Sequence, residues 1–231
     1  KYTNGFLFRH YDQIHLNIAK QFFNPGKYVE SFFIKSQNKN FSNNDKRKKL
    51  VIVGDSLAQD LSNSINESEL STVYQISTFP IHFGCGNVIA DTDLDLLRKK
   101  IDKPICNKNS KYNLSDGLND KNLINKLNEA EEIWLSSSWS NWELKYINST
   151  ILFLKDNYNL KVKVFGTKYF GEISFNDYLK NYNMGNNRYI LKQPKNFIEF
   201  NDKLVNIISD EYFVNVSSLI CKKNNFCQNV H

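Results

Sequence analysis

Short apolar runs separated by longer mixed segments organise most of this chain. Five runs rich in Val, Ile and aromatic residues are too short for buried helices and predict strands, at 50–53, 73–76, 133–135, 162–165 and 212–216. Segments compatible with amphipathic helices lie between and beside them, roughly at 57–66, 92–101, 121–130, 142–158, 174–183 and 197–209. Alternating strands and helices predict an α/β domain with a parallel sheet covered on both faces.

The predicted fold is therefore a three-layer α/β/α sandwich around a five-stranded parallel sheet. The flavodoxin-like strand order 2-1-3-4-5 with right-handed crossovers is the arrangement expected for five such strands. Residues 1–48 are polar, with aromatic islands; we expect a short helix at 14–23, ended by Pro25-Gly26, and a surface linker at 36–45. We interpret residues 1–48 as an extension packed on the core, and residues 49–231 as the domain.

Composition limits the class of protein. A chain of 231 residues with 41% hydrophobic residues can form one sizeable domain. Its net charge of +6 raises the possibility of a nucleic-acid partner, but the basic residues are scattered and the one dense run, at 45–49, immediately precedes a strand, so we expect none. No stretch approaches the roughly 20 apolar residues of a membrane helix. Because the chain begins at Lys1, we expect a mature product or an excised domain.

Four cysteines indicate the compartment. An even number of cysteines that can pair locally, Cys85 with Cys106 and Cys221 with Cys227, predicts two disulfides and an oxidising environment. Three connectivities are possible, and the sequence alone selects none of them. The spacings match no compact zinc site, so we expect no metal.

A candidate nucleophile follows the first predicted strand, in Gly54-Asp55-Ser56-Leu57. A serine at the start of a helix lies beside backbone N–H groups and the positive end of the helix dipole, which can stabilise the oxyanion of an acyl-transfer reaction. Gly54 permits a tight turn before it. Asp55 and Ser56 also suit ordinary helix capping, and on these residues alone both interpretations stay open.

Several segments together resemble a known family. The Gly54–Leu57 tetrapeptide resembles block one of the SGNH (GDSL-type) hydrolases. Further segments resemble the SGNH domain of the acyltransferase-3/SGNH-fused family of surface-polysaccharide O-acetyltransferases: NGFLFR at 4–9, IWLSSSWS at 133–140, VFG at 164–166 and YFVNVSSLIC at 212–221 followed by Cys227. The third-strand segment ends in Trp-Ser, where ordinary SGNH enzymes carry Gly-x-Asn-Asp. The resemblance covers nearly the whole chain.

This resemblance implies an extracytoplasmic O-acyltransferase that works through a serine acyl-enzyme on Ser56. The acceptor implied is a cell-surface carbohydrate, such as the O-antigen of bacterial lipopolysaccharide, at the periplasmic or extracellular face of the membrane. The acyl group, expected to be acetyl, comes from acetyl-CoA through a transmembrane acyltransferase domain N-terminal to this chain. No metal or bound organic cofactor is implied.

The resemblance also suggests residues around the nucleophile. Candidates for the oxyanion hole are a glycine after the second strand and an asparagine in place of the block-three residue: Gly84, Gly86, Asn87 and Asn141. Ser138 and Trp139 are candidates for the acceptor site, because an exposed Trp at a strand end suits the apolar face of a sugar ring. Core packing of Trp139 is the alternative.

The catalytic base has no clear counterpart. The family's Asp-x-x-His follows its cysteine pair by a short interval, whereas this chain ends at His231, four residues after Cys227. We expect that the chain stops before the motif; His231 and His82 are the candidate bases within it. The alternatives are a carbohydrate O-acetyl esterase of the same fold, a catalytically inactive SGNH-like domain that binds glycans, and a flavodoxin-like binding domain, against which the paired cysteines argue. A continuation without Asp-x-x-His would favour the inactive domain.

Overall fold

The computed structural model describes residues 25–37, 39–82, 84–89, 114–118, 120–168, 188–222 and 226–230. The strands are β1 Lys48–Gly54, β2 Tyr74–Pro80, β3 Glu132–Ser136, β4 Lys161–Phe165, β5 Arg188–Lys192, β6 Phe213–Val214, β7 Cys221–Lys222 and β8 Phe226–Val230. The α-helices are α1 Pro25–Gln37, α2 Ser56–Asn66, α3 Leu114–Gly117, α4 Lys121–Glu129, α5 Leu144–Tyr158, α6 Lys195–Ile207 and α7 Val216–Ile220, with a 3₁₀ turn at Glu69–Thr72.

The central sheet has five parallel strands in the order β2-β1-β3-β4-β6. Since β6 is the last of the five predicted strands, the predicted parallel sheet and its order are confirmed. The register places Gly54, at the end of β1, opposite Pro80 of β2 and Ser136 of β3. The carboxyl ends of these three strands therefore meet at one edge, where α/β sheets carry their sites.

Two apolar cores on opposite faces of the sheet make the three layers. In β1, Val51 and Val53 pack into the core formed with α4, α5 and α6, while Leu50 and Ile52 pack into the core formed with α1 and α2. All four side chains are fully buried. This explains why β1 reads as a continuous apolar run instead of an alternating one.

The segment before β1 contributes a helix to one face. Phe33 of α1 is fully buried, and the carbonyls of Phe33 and Ser36 accept hydrogen bonds from Thr78 Oγ1 and Ser77 Oγ of β2. Pro25 occupies the first position of α1, where a missing N–H costs nothing. Pro25-Gly26 therefore begins a helix; the helix that these residues are expected to end, at 14–23, lies outside the described residues.

Other expectations are corrected or fall outside the described residues. The strand expected at 212–216 is limited to Phe213–Val214, because Asn215 caps α7 by accepting from Ser218 N at 3.1 Å. An antiparallel sheet in the order β5-β8-β7 was not predicted. The helices expected at 14–23, 92–101 and 174–183 lie outside the described residues. None of the helices in the described ranges has the length and apolar character that crossing a bilayer requires.

Candidate active site

The turn between β1 and α2 is built around Gly54. Its φ of 154° lies in a region that residues with a side chain rarely adopt. A Cβ at this position would overlap the backbone carbonyl of Ser136 on β3. Only glycine allows β1 and β3 to end this close together, so Gly54 fixes where α2 begins relative to the third strand.

Asp55, and not Ser56, caps α2. Its Oδ1 accepts a hydrogen bond from Leu57 N at 3.0 Å. Ser56 is the first helical residue and is exposed. Within the described part of the chain, neither its Oγ nor its N–H makes a hydrogen bond. Asp55 is therefore the residue that caps α2. Ser56 presents a hydroxyl and an amide donor at the carboxyl edge of the sheet.

Asp55 also binds the loop that follows β3. Its Oδ2 accepts hydrogen bonds from Ser138 N at 2.8 Å and from Ser137 Oγ at 3.1 Å. The Asp55 side chain is buried, so these bonds are shielded from water. The expected acceptor-site residue Ser138 is thereby held next to the turn that carries Ser56.

The loop after β2 carries the expected oxyanion-hole residues. Gly84 and Gly86 have φ values of 78° and 104°, and a Cβ on Gly86 would lie 2.5 Å from the ring of Trp142. Asn87 is fully buried; its Nδ2 donates to the carbonyl of Val53 on β1 at 3.1 Å, and its Oδ1 has no hydrogen-bond partner among the described residues. Asn87 thus connects the glycine loop to β1, the strand that precedes Ser56.

Glu143, just before α5, is a second buried carboxyl at this edge and was not predicted. Its Oε1 accepts from Asn87 N at 2.8 Å and its Oε2 accepts from Ser140 N at 2.7 Å. Burial raises the pKa of Glu143 to about 7; the charge of Asp55 adds to this, and the two N–H donors oppose it. A glutamate at a helix start is typical of a solvated helix terminus, so no local pattern indicates that Glu143 is buried.

Two expected site residues have other roles. Trp139 is buried, and its Nε1 donates to the carbonyl of Phe165 on β4 at 2.8 Å. The expectation of an exposed Trp stacked on a sugar is therefore wrong, and the core-packing alternative holds. Asn141 is exposed, and its Oδ1 accepts from Lys203 Nζ of α6 at 3.0 Å. Asn141 is thus bound to a surface helix, whereas Asn87 is bound to β1.

The candidate bases remain predictions. His82 is half-buried beyond the end of β2, and its carbonyl accepts from Cys85 N at 2.9 Å. No histidine in the described ranges hydrogen-bonds to Ser56. His231 lies outside the described residues.

The described cysteines support an oxidised state. Cys85 and Cys221 are disulfide-bonded, and no free cysteine is found in the described part of the chain. Cys221 lies opposite Cys227 in the β7–β8 pair, while Cys106 lies outside the described residues. The pairing itself stays a prediction.

Thiol titration of the denatured, unreduced protein should detect almost no thiol among its four cysteines. Two bonds that each close a local loop should each stabilise the fold by about 2–4 kcal/mol. Peptide mapping without reduction should recover Cys85 linked to Cys106 and Cys221 linked to Cys227. Four reactive thiols would contradict both the pairing and the oxidising compartment.

A salt bridge lies near the carboxyl edge of the sheet, and a surface cleft lies at its other end. Lys168, beyond β4, forms a salt bridge of 3.0 Å with Asp60, one turn after Ser56 on α2. A surface cleft of about 740 Å³, lined by residues such as Lys155, Tyr158 and Tyr212, lies at the opposite, amino-terminal ends of the strands. Among the described residues, no three His, Cys, Asp or Glu side chains are grouped to hold a metal ion.

The carboxyl edge carries an exposed serine hydroxyl at the start of a helix. The start of α2 offers a positive dipole end beside Ser56, and the glycine loop follows the neighbouring strand β2. No family model, no curated protein and no solved structure matches this chain significantly.

Proposed function

We propose that this chain transfers an O-acyl group, most simply acetyl, to a cell-surface carbohydrate through an acyl-enzyme on Ser56. The observation that carries the proposal is the exposed Ser56 at the first position of α2, with no hydrogen bond to its amide in the described residues. Since Asp55 already caps the helix, capping does not account for Ser56. The likeness of Gly54–Leu57 and the later segments to SGNH acyltransferases selects acyl transfer among serine chemistries.

In the proposed reaction, Ser56 Oγ attacks the acyl carbonyl while a histidine base accepts the hydroxyl proton. The Ser56 amide and the Gly84–Asn87 loop donate to the oxyanion. Collapse of the tetrahedral intermediate breaks the bond between the acyl carbon and the donor's leaving group, which takes the proton back from the base. A sugar hydroxyl then attacks the Ser56 ester in the same way, which restores the serine. The resemblance implies a histidine base in an Asp-x-x-His motif, and His82 and His231 are the candidate bases within this chain.

The remaining parts of the proposal follow from the same resemblance. The acyl group would reach Ser56 from acetyl-CoA through a transmembrane acyltransferase domain, and the site would face the periplasm or the cell exterior. The disulfide-bonded Cys85 and Cys221 support an oxidising compartment. The reaction as written needs no metal or organic cofactor.

The proposal is tested by following the acetyl group from the donor to the protein and then to a sugar or to water. The protein is acetylated with p-nitrophenyl acetate in the presence of imidazole as external base, and the modified residue is located by fragmentation mass spectrometry. Surface oligosaccharides are then added; we expect acetyl on Ser56, faster loss of that acetyl with oligosaccharide than with water alone, and an O-acetylated sugar. Loss to water at an unchanged rate would favour a carbohydrate O-acetyl esterase. A Ser56 that never carries acetyl would overturn the proposal and favour a glycan-binding domain.

A further inference from the structure

Two buried carboxyl groups connect three loops at the carboxyl edge of the sheet. Asp55 belongs to the β1–α2 turn and binds the loop after β3 at Ser138. Glu143 binds the same loop at Ser140 and the loop after β2 at Asn87. Asp55 and Glu143 are 5% and 1% exposed. Glu143 is therefore one of the residues that connect the loop with the expected oxyanion donors to the loop after β3.

The two carboxylate oxygens of Glu143 accept hydrogen bonds from different loops. Oε1 holds the backbone of Asn87, and Oε2 holds the backbone of Ser140. The neighbouring residue, Trp142, packs its ring over Gly86, where a Cβ would lie 2.5 Å away. The segment before α5 therefore contacts the glycine loop at two positions, through a ring on Gly86 and a carboxylate on Asn87.

We infer that Glu143 is a positioning residue of the Ser56 site, whose carboxylate holds the Gly84–Asn87 loop in place beside the end of β1 and holds it less firmly when protonated. The inference rests on the proposed function for its catalytic meaning, whereas the two hydrogen bonds stand without it. Glu143 acts through the loops and does not itself contact the reacting atoms. An error of about 1 Å in the place of an oxyanion donor can lower a rate by about 10²-fold.

The charged form is required because both bonds come from N–H donors. A carboxylate accepts with both oxygens, whereas a protonated carboxyl carries a hydrogen on one of them and cannot accept two N–H groups equally well. Burial raises the pKa of Glu143 to about 7, which brings this protonation into the neutral range. Among the described residues, Asp55 is the charged group that acts on Glu143; Asn87 faces it with a backbone donor, and Ser140 with its backbone N–H and its hydroxyl.

Protonation should have opposite effects on the loop and on global stability. Folded Glu143 keeps its proton up to about pH 7, whereas an unfolded glutamate loses it near 4.5. The folded state then binds more protons in this window, so the free energy of unfolding should fall as pH rises through it. The contribution of Glu143 to stability is therefore largest where its carboxyl holds the loop least firmly.

Amide NMR of the full chain tests the positioning role directly. The Asn87 and Ser140 amide resonances should move together with pH, with a midpoint near 7 and a downfield shift as the carboxylate forms. Ile89 provides an internal control on the same loop, because its N–H donates to the neutral Thr150 Oγ1 at 2.8 Å. Glu143→Gln should abolish the two titrations. Glu132→Gln, which removes a buried carboxylate at the amino end of β3, should leave them unchanged.

The same variants separate this inference from the proposed function. Glu143→Gln should slow acetylation of Ser56 by roughly 10- to 100-fold above pH 7. The fall in the free energy of unfolding that the wild type shows between pH 4.5 and 7 should be absent in this variant. Amides that do not titrate, or a Glu143→Gln protein that acetylates Ser56 like the wild type, would overturn the positioning role. If Ser56 is unreactive in every variant, the proposed function fails, and the amide titration alone decides whether Glu143 holds the loop.

Discussion

Ser56→Ala should take up acetyl from p-nitrophenyl acetate about 10³-fold more slowly than the wild type when imidazole is supplied as base. The variant removes the attacking oxygen and leaves the helix start and the glycine loop in place. Because Asp55 makes the capping bond to Leu57 N, the free energy of unfolding should change by no more than about 0.5 kcal/mol. The measurement combines the acetylation rate, followed by intact mass, with chemical denaturation.

Ser64→Ala is the matched control for this prediction. Ser64 lies on the same helix, is exposed, and donates its Oγ proton only to the carbonyl of Asp60 in the described structure. It should therefore keep the wild-type acetylation rate. If Ser56→Ala and Ser64→Ala react alike, the acetylation is incidental surface chemistry and Ser56 is not the nucleophile.

The acetylation rate without imidazole tests whether this chain supplies the catalytic base. Since no histidine in the described ranges bonds to Ser56, the wild type should react slowly without imidazole. Triad members act as a unit, so a missing base costs about as much as a missing serine. Fast reaction without imidazole that is lost in His82→Ala or His231→Ala would instead assign the base to that histidine. The expectation that the base lies beyond this chain would then be wrong.

The fold was predictable because its central strands carry an unambiguous pattern. Leu50 and Ile52 enter one core and Val51 and Val53 the other, so a strand buried on both faces appears as a continuous apolar run. Two such faces require helices on both sides of the sheet. The end of the strand at Phe213–Val214 was harder to predict. The strand ends because the Asn215 side chain caps α7, and an asparagine there is compatible either with a longer strand or with a helix cap.

The site was predictable only at the position nearest the strand. Gly54 and Ser56 follow β1 directly, so their place depends on local sequence. The direction of the Trp139 ring depends on the path of residues 137–140, which is set by bonds to Asp55 and Glu143. The role of Glu143 depends on Asn87, 56 positions away in sequence. No local pattern reports such a contact, which is why Trp139 was misassigned and Glu143 was missed.

Asp55→Ala should destabilise the fold by about 3–5 kcal/mol, and Asp120→Ala by only about 1 kcal/mol. Both residues cap a helix with the same bond to the amide two positions on, from Leu57 N at 3.0 Å and from Asn122 N at 2.8 Å. Asp55 differs in being buried and in holding the loop after β3 through its second oxygen. Its removal leaves two further donors without an acceptor, each costing about 1–3 kcal/mol.

The Asn variants separate the cap from the loop contact. Asparagine is as good a cap as aspartate, so Asp120→Asn should be nearly neutral. Asp55→Asn keeps an oxygen for Leu57 N but turns an NH₂ group towards Ser138 N, where two donors then face each other. Chemical denaturation of the four variants should therefore give a large difference between Asp55→Asn and Asp120→Asn. If Asp55→Asn and Asp120→Asn are equally neutral, Asp55 is only a cap, and the edge around Ser56 is held together without it.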